Sequence, residues 1–338
     1  MVEEITLHIN PEYRQGAYNA IHVCLQVKPD ERVTIVAGYE CREIVAALQE
    51  QLRKIEARHS VLFLEDLGKR PCLKLPKEVL IDLKESQVSI YAAHAMPGEL
   101  AGRSELTGFV NEHRIRHAHM VNISHQIMLQ GMRADFKKVD ELSARLIAKA
   151  RQAETITAKS TSGTDIEARF IPELNWLKTS GIISVEKWGN LPGGEILTSP
   201  ARVDGIFVVD GVVGDFLCER YGDLRDNPLR IEIENSRIRN LECKNAALLE
   251  DFSNYISTDE NSNRAGEFAI GTNIAVTEVI GNILQDEKIP GIHIAFGDPY
   301  GEHTGQNWQS ETHIDCVGRH FDIWLEQEKV MEDGVFIF

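Results

Sequence analysis

Between Arg32 and Leu64 the sequence admits few folds. RVTIVAG is an unbroken apolar run of strand length. CREIVAALQEQLRKIEAR is a helix with Ile44, Leu48, Leu52 and Ile55 on one face, and SVLFL is a second apolar run. Strand, one-sided helix and strand make a βαβ unit, in which the helix covers a parallel pair. The runs QVSIYAA (87–93) and HMVNI (119–123) extend the sheet, each followed by helix-compatible sequence. A helix over 136–151, capped by Asp135 and carrying Val139, Leu142, Leu146 and Ala150 on one side, closes this region. Neither GxGxxG nor GxxxxGK[ST] follows any of these strands, which argues against a nucleotide site.

Beyond this helix the texture changes to hairpins. ETITAKSTSGTDIEARF turns at Ser162-Gly163, LRIEIENSRIRNLEC alternates around Asn235-Ser236, and the chain ends in a hairpin through Glu332-Asp333-Gly334. Helices are expected near 245–256 and 274–285. At 338 residues the chain is twice a domain of roughly 150 residues. We therefore expect an α/β N-terminal domain with a mostly parallel sheet (1–152), then an α+β C-terminal domain rich in antiparallel strands (153–338).

A net charge of -16 with no basic cluster argues against nucleic acid and anionic lipid as partners. MVEEITLHINPEY has neither a basic n-region nor an apolar h-region, and no apolar run reaches the ~18 residues of a membrane span. A cytosolic location is expected. The six cysteines are scattered without a CxxC pair and read as reduced thiols.

The candidate chemistry lies in the last third. Side chains alternate faces along a strand, so in ETHID His313 and Asp315 point one way and Ile314 the other. In GIHIAFG, His293 stands opposite Ile292, Ile294 and Phe296. Two imidazoles and a carboxylate can converge on a cation. Four more acidic residues sit beside glycines or apolar runs: Glu195 in GNLPGGEILTSP, Glu267 in GEFAIGTN, and Asp286 with Glu287 ahead of His293. A carboxylate in such a setting is costly to bury without a cation or a donor. Three or four of them with two histidines could hold two divalent ions and a shared water, the chemistry of metal-assisted hydrolysis. Spacing alone leaves blander readings open: a satisfied core histidine for His293, and a cap, turn contact or solvated position for each glutamate.

Two rival clusters are weaker. NEHRIRHAH brings His113, His117 and His119 close together, but no regular element aligns all three and Arg114 and Arg116 would repel a cation. A polar surface is expected there. Cys316 faces away from Asp315 and reads as a buried thiol, and no GxSxG elbow accompanies any serine.

The blocks NLPGGEILTSP, GEFAIGTN, DEKIPGIHIAFGDPY and THID, in that order, resemble the aminopeptidase T/aminopeptidase S family of two-metal exopeptidases, the thermophilic metallopeptidases. The resemblance covers the second domain; the first matches only as a βα-rich region of similar size. It implies two divalent ions (zinc, cobalt or magnesium) ligated by Glu195, Glu267, Glu287, His293, His313 and Asp315. The choice of Glu287 over Asp286 rests on a small gap. It further implies Tyr300 at the metal centre, a peptide substrate cut at its N-terminus, and a homodimer enclosing the centre. The segment GEHTGQNWQS after Tyr300 departs from the family's longer, glycine-marked loop and carries His303 and Trp308, which leaves substrate preference open.

In the mechanism so implied, an ion-held water attacks the scissile carbonyl, with Glu195 among the catalytic residues and Tyr300 donating to the oxyanion or standing as an ordinary ring beside Pro299. Glu302 or Glu311 shuttles a proton or is simply solvated. Two other functions are carried. His293, His313 and Asp315 alone would form the facial triad of a mononuclear iron ring-cleaving dioxygenase, a family similar to these aminopeptidases that lacks the extra glutamates; here Glu195 and Glu267 favour two hard ions. The third is a non-catalytic, peptide-binding member.

Overall fold

The computed structural model describes residues 9–186 and 188–338. Residues 1–8, within the stretch read for targeting signals, lie outside the described residues. The chain forms two compact units and crosses between them more than once: one takes the chain up to Lys137 and again Gly181–Gly193, the other Lys138–Ser180 and Gly194–Phe338.

The first unit is the expected parallel sheet. Its strands run Arg58–Phe63, Arg32–Ala37, Val88–Ala92, Arg116–His119 and Gly189–Asn190 in spatial order, each parallel to its neighbour. The helix Arg42–Lys54 buries Ile44, Leu48 and Leu52, and Ile55 caps it half-buried. One strand is shifted from expectation. HMVNI (119–123) is not a strand, because the chain leaves the sheet after His119 and turns through Asn122 at φ +58°. The strand is instead RHAH, and this also overturns the polar surface expected there. His117 and His119 are buried on one face of the sheet, Ser89 Oγ lying 2.8 Å from His117 Nδ1 and His117 Nε2 lying 3.2 Å from His119 Nδ1. Burial holds His117 down at about 3. His113 stays outside, stacked on Phe109.

The second unit contains two antiparallel sheets. The larger orders its strands Arg237–Glu242, Leu229–Glu234, Arg202–Val209, Asp165–Arg169, Thr155–Ser160, Phe321–Leu325, Glu328–Glu332 and Val335–Phe336. All three expected hairpins are present. The Asn235-Ser236 pair has φ of +51° and +61°, the mirror-image geometry that suits a two-residue hairpin. The smaller sheet runs His313–Val317, Gly291–Gly297, Ala265–Gly271, Glu195–Thr198 and Leu177–Lys178. One apolar cluster joins the two sheets, with Ile292, Ile294, Phe296, Phe268 and Ile314 of the smaller beside Phe207, Ile231, Phe321 and Ile323 of the larger. Each such side chain contributes roughly 1.5–3 kcal/mol on burial. The smaller sheet is thereby anchored on one face and free to carry polar groups on the other.

The helices Phe136–Ala150 and Ala246–Tyr255 form as expected. The helix expected over 274–285 does not: only Ile283–Asp286 is helical. The buried Asp286 carboxylate accepts hydrogen bonds of 2.8 to 3.2 Å from the amides of Ile280, Gly281 and Asn282, and Gly281 sits at φ +76°. Those amides are committed to a side chain, so 274–282 stays a loop. Among the described residues, no helix is long and apolar enough to cross a membrane.

Candidate metal centre

The polar face of the smaller sheet is assembled by register. Paired residues on antiparallel strands share a face. His293 pairs with Val317 and Ala269, Ala295 with Asp315 and Glu267, Gly297 with His313, and Gly271 with Glu195. His293, Asp315, His313, Glu267 and Glu195 therefore project from one side. Ala269, Ala295, Gly271 and Gly297 lie between them and leave room for a bound group. The two strands His313–Val317 and Gly291–Gly297 hold the expected clamp, with Ile314 on the core side.

Glu267 reaches this face through a bulge. The register slips between Ala265, paired with Phe296 on the core side, and Glu267, paired with Ala295 on the site side. Without the extra residue both would share one face; the bulge re-aims the carboxylate. Gly266 occupies the slip, where a Cβ would fall 2.1 Å from the Gly297 carbonyl oxygen. Gly297 is equally constrained, at φ +110° with a Cβ position 2.0 Å from the Thr312 oxygen, immediately beside His313.

Among the described residues, three overlapping groups can each hold a cation, with ligand atoms all within 4.8 Å: Glu195–Glu267–His293, Glu267–His313–Asp315 and Glu287–His293–Asp315. His293 Nε2 lies 3.2 Å from Glu267 Oε1, 3.7 Å from Glu195 Oε2 and 4.0 Å from Asp315 Oδ1. His313 Nε2 lies 3.4 Å from Asp315 Oδ1 and 3.8 Å from Glu267 Oε2. The other nitrogen of His313 is 2.8 Å from the Asp298 carbonyl, which orients the ring with Nε2 toward the carboxylates. His293 Nδ1 is buried with no hydrogen-bond partner among the described residues. Imidazoles and carboxylates in this mixture suit zinc, cobalt or another divalent ion.

The fourth carboxylate is Glu287, which follows the short helix and belongs to the cluster, whereas Asp286 is turned to its own loop. Beside it lies a group that sequence reasoning passed over. Lys288 is 1% exposed, and its Nζ sits 2.6 Å from Glu195 Oε1 and 2.5 Å from Glu287 Oε1. Thr179 Oγ1 donates to the same Glu195 oxygen at 2.7 Å. In the sequence Lys288 is one charge in DEKIPG, indistinguishable from a solvated lysine. The only local hint is the apolar, proline-bounded run that follows it.

Charge decides the protonation of this face. Burial would lower both histidines, but the surrounding carboxylates overcome it: Glu267, Glu195 and Asp315 raise His293 to about 9, and Asp315 and Glu267 raise His313 to about 10. Asp315 is opposed by burial but held well below the usual carboxylate range by His313 and His293. Glu195 is likewise lowered against burial, by Lys288 and His293. Glu287 is pushed up to about 8 by burial, Lys288 opposing and Asp315 and Glu195 adding to the rise. Protons thus compensate the carboxylates where a cation would otherwise do so.

The remaining expected residues are placed as follows. Tyr300, at φ +50°, is half exposed with its ring 4.4 Å from that of His313. Glu302, His303 and Glu311 are exposed, and none belongs to the three donor groups. Trp308 lies under the Arg264 guanidinium, 4.4 Å from it. Cys316 is fully buried on the core face, and burial pushes its thiol well up.

The family model described as thermophilic metalloprotease (M29) matches residues 132–321. Among solved structures, wild-type AmpT from Thermus thermophilus is 17% identical with a TM-score of 0.69, over 97% of this chain and 99% of that one. A 2,5-dihydroxypyridine dioxygenase from Pseudomonas putida KT2440 is 16% identical with a TM-score of 0.68, over 96% of each chain. No curated protein matches the sequence.

Proposed function

The chain belongs to the thermophilic metalloprotease (M29) family, and on that premise we propose that it is a metal-dependent aminopeptidase that removes N-terminal residues from peptides. The observation that carries this reading is the convergence of three carboxylates and two imidazoles on one sheet face, joined by Glu287 from the end of the short helix, each group within ion-holding distance of others. Glu195, Glu267, Glu287, His293, His313 and Asp315 offer enough donors for the two divalent ions that the resemblance implies. A bound divalent ion supplies a polarised scissile carbonyl and a water acidified toward neutral pH.

The chain's own residues do the rest. Glu195 Oε1 is pinned by Thr179 and Lys288, which leaves Oε2 aimed at the cluster as its donor oxygen, and an acid outside the donor set, Glu302 or Glu311, accepts the water's proton and returns it to the departing amine. The water oxygen bonds to the carbonyl carbon and the C–N bond breaks. Tyr300, beside His313, donates to the oxygen on which charge develops. Spare carboxylate capacity on this face binds the peptide's free amine. A homodimer enclosing the centre and a cytosolic location complete the proposal; size-exclusion chromatography with light scattering tests the first.

One observation favours a second reading. His293 and His313 lie 4.0 and 3.4 Å from the same Asp315 oxygen, the residue types of the two-histidine, one-carboxylate set that mononuclear iron oxygenases use, although none of the three donor groups holds both imidazoles. One experiment separates the two. The chelated protein is reloaded with zinc, cobalt, magnesium or iron and offered aminoacyl-p-nitroanilides, with oxygen consumption followed in parallel on a dihydroxypyridine. Metal-restored amide cleavage is expected; oxygen uptake with iron and no amide cleavage under any metal would overturn the peptidase assignment.

A further inference from the structure

In a chain of net charge -16, two neighbouring arginines go without a carboxylate. Arg237 and Arg264 are partners in an isolated antiparallel bridge. Arg237 gives its guanidinium to neutral oxygens, the Glu260 carbonyl at 2.8 Å and the Asn263 and Asn261 side chains at 2.6 and 3.2 Å. The Arg264 guanidinium has no acceptor among the described residues and is not sealed from solvent; it lies 4.4 Å over the ring of Trp308. We propose that Arg264, held on Trp308, binds the C-terminal carboxylate of a short peptide whose N-terminal end lies at the metal centre. The inference rests on the aminopeptidase reading above and names its substrate class.

The geometry supports it in three ways. The first is placement. Ala265 faces the core side with Phe296, so alternation turns Arg264 to the side that carries Glu267 and His313. The Arg264 carbonyl accepts from the Gly297 amide at 2.9 Å, and Gly297 is the strand partner of His313. Glu267 follows at a distance of roughly 10 Å along an extended strand, a span that about three residues of extended peptide cover. The second is availability. Burial, and then the charge of Arg237, lower the Arg264 guanidinium, and no carboxylate opposes them. The nearby acids are engaged elsewhere. Asp259 accepts from the amides of Asn261 and Glu311 at 2.7 and 2.6 Å and from Ser310 Oγ at 2.8 Å, and Asp298 from the amides of Tyr300 and Ser310 at 2.9 and 3.2 Å. The third is preorganisation. Those bonds fix the loop that bears Trp308, and Asn261 Nδ2 adds another to the Gln309 carbonyl at 2.9 Å. Trp308 Nε1 is buried, so the ring's edge is turned inward and its face is left to hold the guanidinium. A planar cation held in this way matches the two oxygens of a carboxylate.

The segment GEHTGQNWQS thereby acquires a role, since its tryptophan positions the group that reads the far end of the substrate. A peptide held at both ends, by its amine at the centre and by its carboxylate at Arg264, is limited to roughly three or four residues. The rest of this acidic chain repels a free carboxylate, so a preference for the free acid over its amide is diagnostic of the site.

The test compares acids with amides. Full-length, metal-loaded protein is offered Leu-Gly-Gly and Leu-Gly-Gly-Gly, each as the free acid and as the C-terminal amide, and released leucine is measured for the natural chain and Arg264→Met. The natural chain should favour the free acid by about tenfold or more in kcat/KM at one of the two lengths, with the difference lying in KM. Arg264→Met should bring that ratio to within about twofold of one. A ratio under about tenfold at both lengths in the natural chain would overturn the proposal. So would a folded Arg264→Met whose ratio stays above about twofold, because a merely structural arginine would affect acid and amide alike. Should Arg264→Met not fold by circular dichroism, Arg264→Gln takes its place under the same criteria, and the comparison within the natural chain needs no variant. Failure to release leucine from any of these peptides under any metal refutes the aminopeptidase reading itself, an outcome distinct from the others.

Discussion

Loading the centre with metal should expel protons, and the two imidazoles set how many. His293 at about 9 and His313 at about 10 are charged at neutral pH in the metal-free protein, yet each must be neutral to bind an ion. At pH 7 a group of pKa about 9 is protonated roughly 100:1 and one of about 10 roughly 1000:1, penalties of ~2.7 and ~4 kcal/mol against ligation. Between about pH 7 and pH 9, zinc affinity should therefore rise by up to ~10-fold per pH unit for each ion, with close to one proton released per ion from its imidazole. Isothermal titration calorimetry of chelated protein, in buffers of different ionisation enthalpy, reads both quantities. A flat affinity across this range, or release of less than half a proton, would refute the reasoning. The sign for stability is opposite. Both imidazoles have folded values above their ordinary 6.5, so their contribution to the metal-free fold is complete below about 6.5 and is lost as pH rises through 9 to 10. Urea midpoints of the chelated protein should fall across that window, and those of the loaded protein should not.

Two substitutions test the scaffold around the centre. Gly297→Ala places a methyl 2.0 Å from the Thr312 oxygen at φ +110°, so unfolding in urea should show a loss of ~2–4 kcal/mol. Activity should fall with it, because His313 is its strand partner; a loss under ~0.5 kcal/mol would contradict the packing described. Cys316→Ala should behave in the opposite way. Removing a buried sulfur from the core face should cost about 1–2 kcal/mol and leave kcat/KM within about twofold. A tenfold drop in turnover at unchanged stability would assign the thiol a role that its facing denies.

Local pattern carried much of this molecule. The βαβ unit from Arg32 onward was legible because strand and helix periods differ, and the hairpins at Ser162-Gly163 and Asn235-Ser236 because few residue pairs suit such turns. The facing of His313, Asp315 and Cys316 followed from strand alternation alone. Where local pattern failed, a longer-range partner had decided. Asp286 captured three amides that the expected helix would have used, and RHAH displaced HMVNI in the sheet because His117 could pair with Ser89 and His119.

The sequence by itself determined which residue types were available to the centre and, for the clamp, which way they faced, since alternation along one strand needs no knowledge of its neighbours. Tertiary structure decided the rest. Register set Ala295 between Asp315 and Glu267, and a bulge at Gly266 turned Glu267 onto the site face, neither of which is encoded within a single strand. Lys288 is the sharpest case. One charged residue in a charged segment becomes the partner of Glu195, distant in sequence, because burial leaves an ammonium no alternative but the nearest carboxylates.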